Sequence, residues 1–147
     1  MNLQPFCRQL WIRIQARLSK QWVRTPTLLQ LENTECGAAS LSIILQYYGR
    51  YVPLTQLREL CGVSRDGSDA ANLLLAAQSL GLKAKGFKKG LLALEQIQPP
   101  VIVFWEFNHF LILEGFIDDR VALNDPALGP RTVSREEFDT SYTGIVL

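Results

Sequence analysis

Residues 28–49 read LLQLENTECGAASLSIILQYYG. A polar stretch gives way at Cys36 to an apolar run in which Leu41, Ile44, Leu45 and Tyr48 recur at helical spacing. Asn33 or Thr34 can cap a helix beginning there, and Gly49 ends it. The thiol therefore stands at a helix N-terminus, where free N–H groups and the partial positive charge favour an anion. Only the thiolate attacks a carbonyl well, so Cys36 reads either as a buried core thiol or as a nucleophile. Gly37 removes a side chain where a substrate backbone would approach. Cys61 lacks this setting: it ends a helix between Leu60 and Gly62 and packs as a small hydrophobe. Cys7 lacks it too.

Outward from this helix, PLTQLRELCG (53–62) predicts a second, short helix. DGSDAANLLLAAQSLG (66–81) predicts a third, capped by Ser68 or Asp69 and ended by Gly81. LKAKGF (82–87) alternates as a strand does, and GLLALEQI (90–97) is a short helix. After Pro99–Pro100 the character changes. Residues 101–107, 109–116, 120–125, 131–134 and 144–147 are short strands split by turn residues, with a helical turn or two over 135–142. The fold class is α+β, helices first and an antiparallel sheet after.

The chain of 147 residues is 48% apolar, enough for one domain with its own core. A net charge of +1 advertises no nucleic-acid partner. Three Cys without a CxxC spacing argue against a disulfide framework and a structural zinc, and for a reducing compartment. No run of about 20 apolar residues spans a bilayer, no secretory signal opens the chain, and no P-loop is present. Charge is uneven. Residues 1–24 hold Arg8, Arg13, Arg17, Lys20 and Arg24 and no acid, with Leu3, Phe6, Leu10, Trp11, Ile14, Leu18 and Trp22 as an apolar stripe. Such a basic amphipathic helix lies on a membrane surface, docks on a partner or packs on its own domain. Pro26 breaks it, which predicts a helix over 1–25 and a domain over 26–147.

His109 is the only histidine, at the start of a strand. A lone His is ordinarily structural, but any Cys–His pairing here has one candidate. An acid must then hold the imidazole, and Asp125, ending the next strand before Pro126, is the best choice, although an Asp before Pro is usually a turn former. Strand parity sharpens this. A two-residue turn at Asp118–Asp119 alone would put Asp125 opposite Ile112, facing away from His109. An odd loop or a bulge would put it opposite Leu111, on the His109 face as a diagonal neighbour. Gln30 can donate its amide to an oxyanion formed when the thiolate attacks; otherwise it is an ordinary polar loop residue.

Gln30 followed by Cys36–Gly37, HFLIL from His109, NDPALG around Asp125, QYYGRYVPLTQLRELCGVSRDGS and VSREEFDTSYTGIVL together resemble the bacteriocin-processing cysteine peptidases. These are the papain-like domains at the N-terminus of peptidase-containing ABC transporters. The resemblance covers about residues 25–147 and is nearest the branch serving lanthipeptides and nitrile-hydratase-like leaders. It implies Cys36 as nucleophile, His109 as general base and acid, Asp125 as its orienter and Gln30 in the oxyanion hole, with no metal or organic cofactor. It also implies a precursor peptide cut after Gly-Gly or Gly-Ala, with the leader docked as an amphipathic helix in an apolar groove. The membrane-spanning and ATP-binding parts would follow, placing the domain at the cytoplasmic face of a bacterial inner membrane and leaving it soluble in isolation. Glu35 departs from the family's more frequent Asp before the Cys, with little consequence expected. A non-catalytic leader-binding module, another papain-like thiol enzyme such as an acyl transferase, and an interaction domain with a chance Cys are the rival readings.

Overall fold

The computed structural model describes residues 22–147. Most of the amphipathic helix expected over 1–25, and Cys7, lie outside them. Residues 22–30 are not helical. They form a strap along the sheet: Val23 N–H donates to the Glu114 carbonyl at 3.0 Å, and the Thr25 N–H and hydroxyl donate to the Glu114 carboxylate at 2.6 and 2.7 Å. The Asn124 amide donates to Thr25 Oγ1 and to the Pro26 carbonyl. For residues 23–25, these bonds to the sheet stand where the last turn of the expected helix would have been.

The helical half comprises α1 (Cys36–Tyr47), α2 (Leu54–Leu60) and α3 (Ala70–Ser79). Asp69 caps α3 by accepting from Asn72 N–H, as its sequence implied. The start of α1 differs from expectation. Asn33 and Thr34 do not cap it, because they lie inside a 3-10 turn, Asn33–Glu35, that leads into the helix. The next elements are β1 (Phe87–Lys88), α4 (Leu91–Leu94), β2 (Val101–Trp105), β3 (His109–Ile117), β4 (Arg120–Asp125), β5 (Gly129–Ser134), α5 (Arg135–Ser141) and β6 (Tyr142–Val146). The strand expected over 82–87 shrinks to β1. Leu82 and Ala84 do turn to the core, which explains the alternation, but the Ala84 carbonyl is taken by the Gln78 side chain rather than a neighbouring strand.

All neighbours in the sheet are antiparallel, in the order β1-β6-β2-β3-β4-β5. Period-2 alternation divides the core in two. Ile102, Phe110 and Ile112 face α1 and the helices, while Val103, Leu111 and Leu113 face Phe138 of α5. Both faces of β3 are covered, so its stretch Phe110–Leu113 reads as an unbroken apolar run.

The β3–β4 hairpin turns in two residues, with Ile117 opposite Arg120. By itself that register would send Asp125 away from His109. A bulge intervenes: Gly115 pairs with Ala122 but Leu113 with Leu123, so β3 carries one extra residue. Gly115 has φ 141°, a conformation that Gly reaches at little cost. The shifted register, continued past Ile112–Asn124, sets Asp125 opposite Leu111. The same bulge turns Glu114 toward Thr25. Glu114→Ala leaves the buried Thr25 donors unpaired; a loss of about 2–3 kcal/mol is expected in urea denaturation, and an unchanged midpoint would show that the strap contributes nothing.

Candidate active site

Three expected residues meet where the two halves join. Cys36 is the first residue of α1, His109 the first of β3 and Asp125 the last of β4. His109 Nε2 lies 2.7 Å from Asp125 Oδ1, and the same ring stands beside the Cys36 thiol, close enough for each to shift the other's pKa. With Nε2 engaged by the carboxylate, Nδ1 is the nitrogen left for the sulfur. The main-chain N–H groups of Phe110 and Gly37 also reach the Cys36 sulfur.

Burial would push this thiol up, but the His109 hydrogen bond, the two N–H groups and the imidazolium charge outweigh it, and the pKa falls below its usual value. Burial would likewise lower His109, yet its bonds to Asp125 and Cys36 and their negative charges raise it to about 9. Both directions favour a thiolate–imidazolium pair. Asp125, only 2% exposed, stays below the ordinary carboxylate range: against the burial penalty stand the His109 bond, the Ala127 N–H, and the charges of His109 and Arg131. Cys61 shows the contrast, since burial alone raises it to about 11.

Gln30 is held by its main chain, its N–H donating to the Pro126 carbonyl at 2.8 Å, so it sits beside the turn that follows Asp125. Its Oε1 is buried without a hydrogen-bond partner. Glu35 matters more than its sequence suggested. It is 1% exposed, accepts the N–H groups of Leu31 and Glu32 at 2.8 and 3.1 Å, and pairs with Arg58 at 3.1 Å. One carboxylate thus folds the segment between Gln30 and Cys36.

Two residues around this row were not expected. Arg131 bonds Asp125 Oδ2 at 3.1 Å and lies over the Trp105 ring at 5.6 Å. Parity could have found it: Asp125 pairs with Gly129, so Arg131 is the diagonal neighbour on the same face. Ser68 could not be found this way, because it comes from a loop of the other half. The role expected for Gly37 also changes. A Cβ there would lie 2.7 Å from Ser68 Oγ, so the missing side chain makes room for Ser68. A cleft of about 290 Å³ opens beside Cys36, walled by Ser68, Phe104, Phe107, Asn108 and Phe110. A larger groove, about 480 Å³, is lined by Ile44, Leu74, Ala77, Phe87 and Leu147, with Lys83 and Lys85 on its lining; it does not include Cys36.

Two outcomes follow from the electrostatics. Iodoacetamide at neutral pH should label Cys36 and spare Cys61 in a mass-spectrometric map; equal labelling would remove the case for an activated thiol. The imidazolium is lost as pH rises through about 9, so kcat/KM of the thiol chemistry should fall there. Asp125→Asn removes the charge that raises His109 and should move that alkaline limb to lower pH.

Comparison with known proteins extends these observations. A double glycine motif protease from an AMS/PCAT transporter, solved in complex with the leader peptide, superposes with a TM-score of 0.85 at 46% identity, over 87% of this chain and 92% of that one. The peptidase domain of Streptococcus ComA, a bifunctional ABC transporter of a quorum-sensing pathway, shares the fold at a TM-score of 0.77 and 24% identity, over 81% of this chain and 93% of that one. The colicin V secretion/processing ATP-binding protein CvaB of Escherichia coli is 34% identical over 131 residues, which are 88% of this chain and 19% of CvaB. The chain thus spans about a fifth of the length of that relative. Residues 24–147 match the family model itself, and the chain belongs to the peptidase C39 family, cysteine peptidases of papain-like fold.

Proposed function

We propose that this domain removes the leader from a ribosomally made precursor peptide, cutting after a Gly-Gly or Gly-Ala pair, as the N-terminal part of an exporting ABC transporter. The carrying observation is the row of Cys36, His109 and Asp125, with His109 and Asp125 2.7 Å apart, beside a cleft whose lining includes Phe104, Phe107 and Phe110. A cleft of that size and wall suits a chain nearly bare of side chains. The relative solved with its leader peptide supports this substrate class, and the lanthipeptide type is the branch we favour.

In this reading the Cys36 thiolate attacks the carbonyl carbon of the second small residue. Gln30 and a main-chain N–H near the helix start hold the oxyanion, each donor worth about 10²–10³ in rate. The tetrahedral intermediate collapses, the C–N bond breaks, and His109 gives its proton to the departing amine, a contribution of about 10²–10⁴. His109 then takes a proton from water, whose oxygen attacks the thioester. The leader leaves as a carboxylic acid and the thiol is restored. Asp125 keeps the imidazole oriented and charged throughout.

The leader itself would dock as an amphipathic helix in the larger groove, whose wall is mostly aliphatic. Residues 1–24 would serve as a separate basic segment meeting the membrane surface or the transporter's other parts, with the domain at the cytoplasmic face of the inner membrane.

Incubation with a double-glycine precursor and mass spectrometry of the products tests the reaction. Cleavage after the small pair is expected, and none with Cys36→Ala; no cleavage by the parent would sink the peptidase role and leave a leader-binding module. Gln30→Ala should lower kcat by about 10²–10³. Leu74→Asp, at the groove, should raise KM for the full precursor and leave kcat nearly unchanged, as expected for contacts made equally in ground and transition states.

A further inference from the structure

Ser68 stands between two fixed pieces of backbone. Ahead of it Ser64 and Gly67 exchange main-chain hydrogen bonds at 3.2 and 3.1 Å. Gly67 packs close enough to the 3-10 turn that a Cβ there would lie 3.6 Å from the Thr34 carbonyl. Behind it Asp69 closes the start of α3 through Asn72 N–H at 2.7 Å. The Ser68 hydroxyl takes part in neither. Its Oγ is buried, has no hydrogen-bond partner, and belongs to the wall of the cleft beside Cys36. Gly37 gives it the space to be there. A buried hydroxyl left unpaired is a cost to the free protein, and such a group calls for an explanation. Here one is at hand, because Ser68 lines the cleft that a substrate would fill.

The occupant makes the need specific. Two small residues bring little besides their main chain: two N–H groups and two carbonyls. One carbonyl is attacked by the thiolate. Of the remainder, an N–H buried without a partner is rarer in proteins than an under-satisfied carbonyl. Phe104, Phe107 and Phe110 offer ring carbons; Asn33, Thr34, Asp66 and Asn108 also line the cleft, but among its described lining residues Ser68 bears the side-chain oxygen that is buried and left without a partner. We infer that Ser68 Oγ accepts a main-chain N–H from the small-residue pair, making Ser68 a substrate-binding residue that selects for an amide in the cleft. The inference rests on the peptidase reading and names a contact within that same site.

The test pairs Ser68→Ala with a precursor in which sarcosine, which lacks the N–H, replaces the first or the second small residue. The Ser68→Ala chain should keep the parent's thermal transition, since the hydroxyl bonds nothing in the free protein. Its kcat/KM on the normal precursor should fall about tenfold, the worth of one hydrogen bond at the upper end of its usual net range. Sarcosine at one of the two positions should cost the parent a similar factor and cost Ser68→Ala little more. A Ser68→Ala chain as fast as the parent, sarcosine losses that multiply fully with the substitution at both positions, or loss of the folded transition would each overturn the contact. Failure of the parent to cut the normal precursor would instead overturn the peptidase reading beneath it.

Discussion

One extra residue in β3 holds the cluster of Cys36, His109 and Asp125 together. Side chains alternate along a strand, so a shift of one position exchanges the two faces of everything beyond it. The hairpin turns in two residues, Asp118 and Asp119, and that turn alone would leave Asp125 on the wrong face. The bulge at Glu114–Gly115 reverses the parity, and the carboxylate arrives 2.7 Å from His109 Nε2. The strap depends on it as well, since Glu114 is the acceptor that holds Thr25. Gly115 is the residue that makes the distortion cheap.

From that register an alternating row of charge can form: thiolate, imidazolium, carboxylate, guanidinium. Each member is partly shielded from water, and each is flanked by the opposite sign. Arg131 and His109 divide the two oxygens of Asp125 between them, and Ala127 N–H shares one. Glu137 of α5 approaches Arg131 at 3.9 Å on the outer, more exposed side. Desolvation alone disfavours the charged form of the thiol, the imidazole and the carboxyl. Set in a row they stay charged, which is why burial and a lowered Cys36 pKa coexist here.

The two halves divide the work. The helical half supplies the sulfur and the loops around it, with Glu35 and Arg58 shaping the approach to the helix. The sheet supplies His109, Asp125 and the aromatic wall. The two hollows also differ in character: one is small, close to the thiol and partly polar, the other larger, aliphatic and edged by Lys83 and Lys85. A substrate with a bare stretch at one end and an amphipathic helix at the other could engage both.

Much of this was legible in the residues. Local periodicity placed α1, α2 and α3 and the strands from Val101 onward, because each pattern is written within a few neighbouring positions. The thiol at a helix start, the single imidazole and the acid 16 positions later were visible for the same reason, and parity even required a bulge or an odd loop. Which of those two occurs is a matter of long-range contact, and the sequence leaves it open. The same holds for the strap, whose Thr25 finds Glu114 89 positions away, for the shortened strand at Phe87, and for Ser68 filling the space behind Gly37. Sequence by itself determined the elements and the chemistry-bearing residue types, through spacing along the chain. Only the tertiary structure decided which polar groups meet across the two halves and which remain unpaired, because those partners are distant in sequence and are chosen by packing.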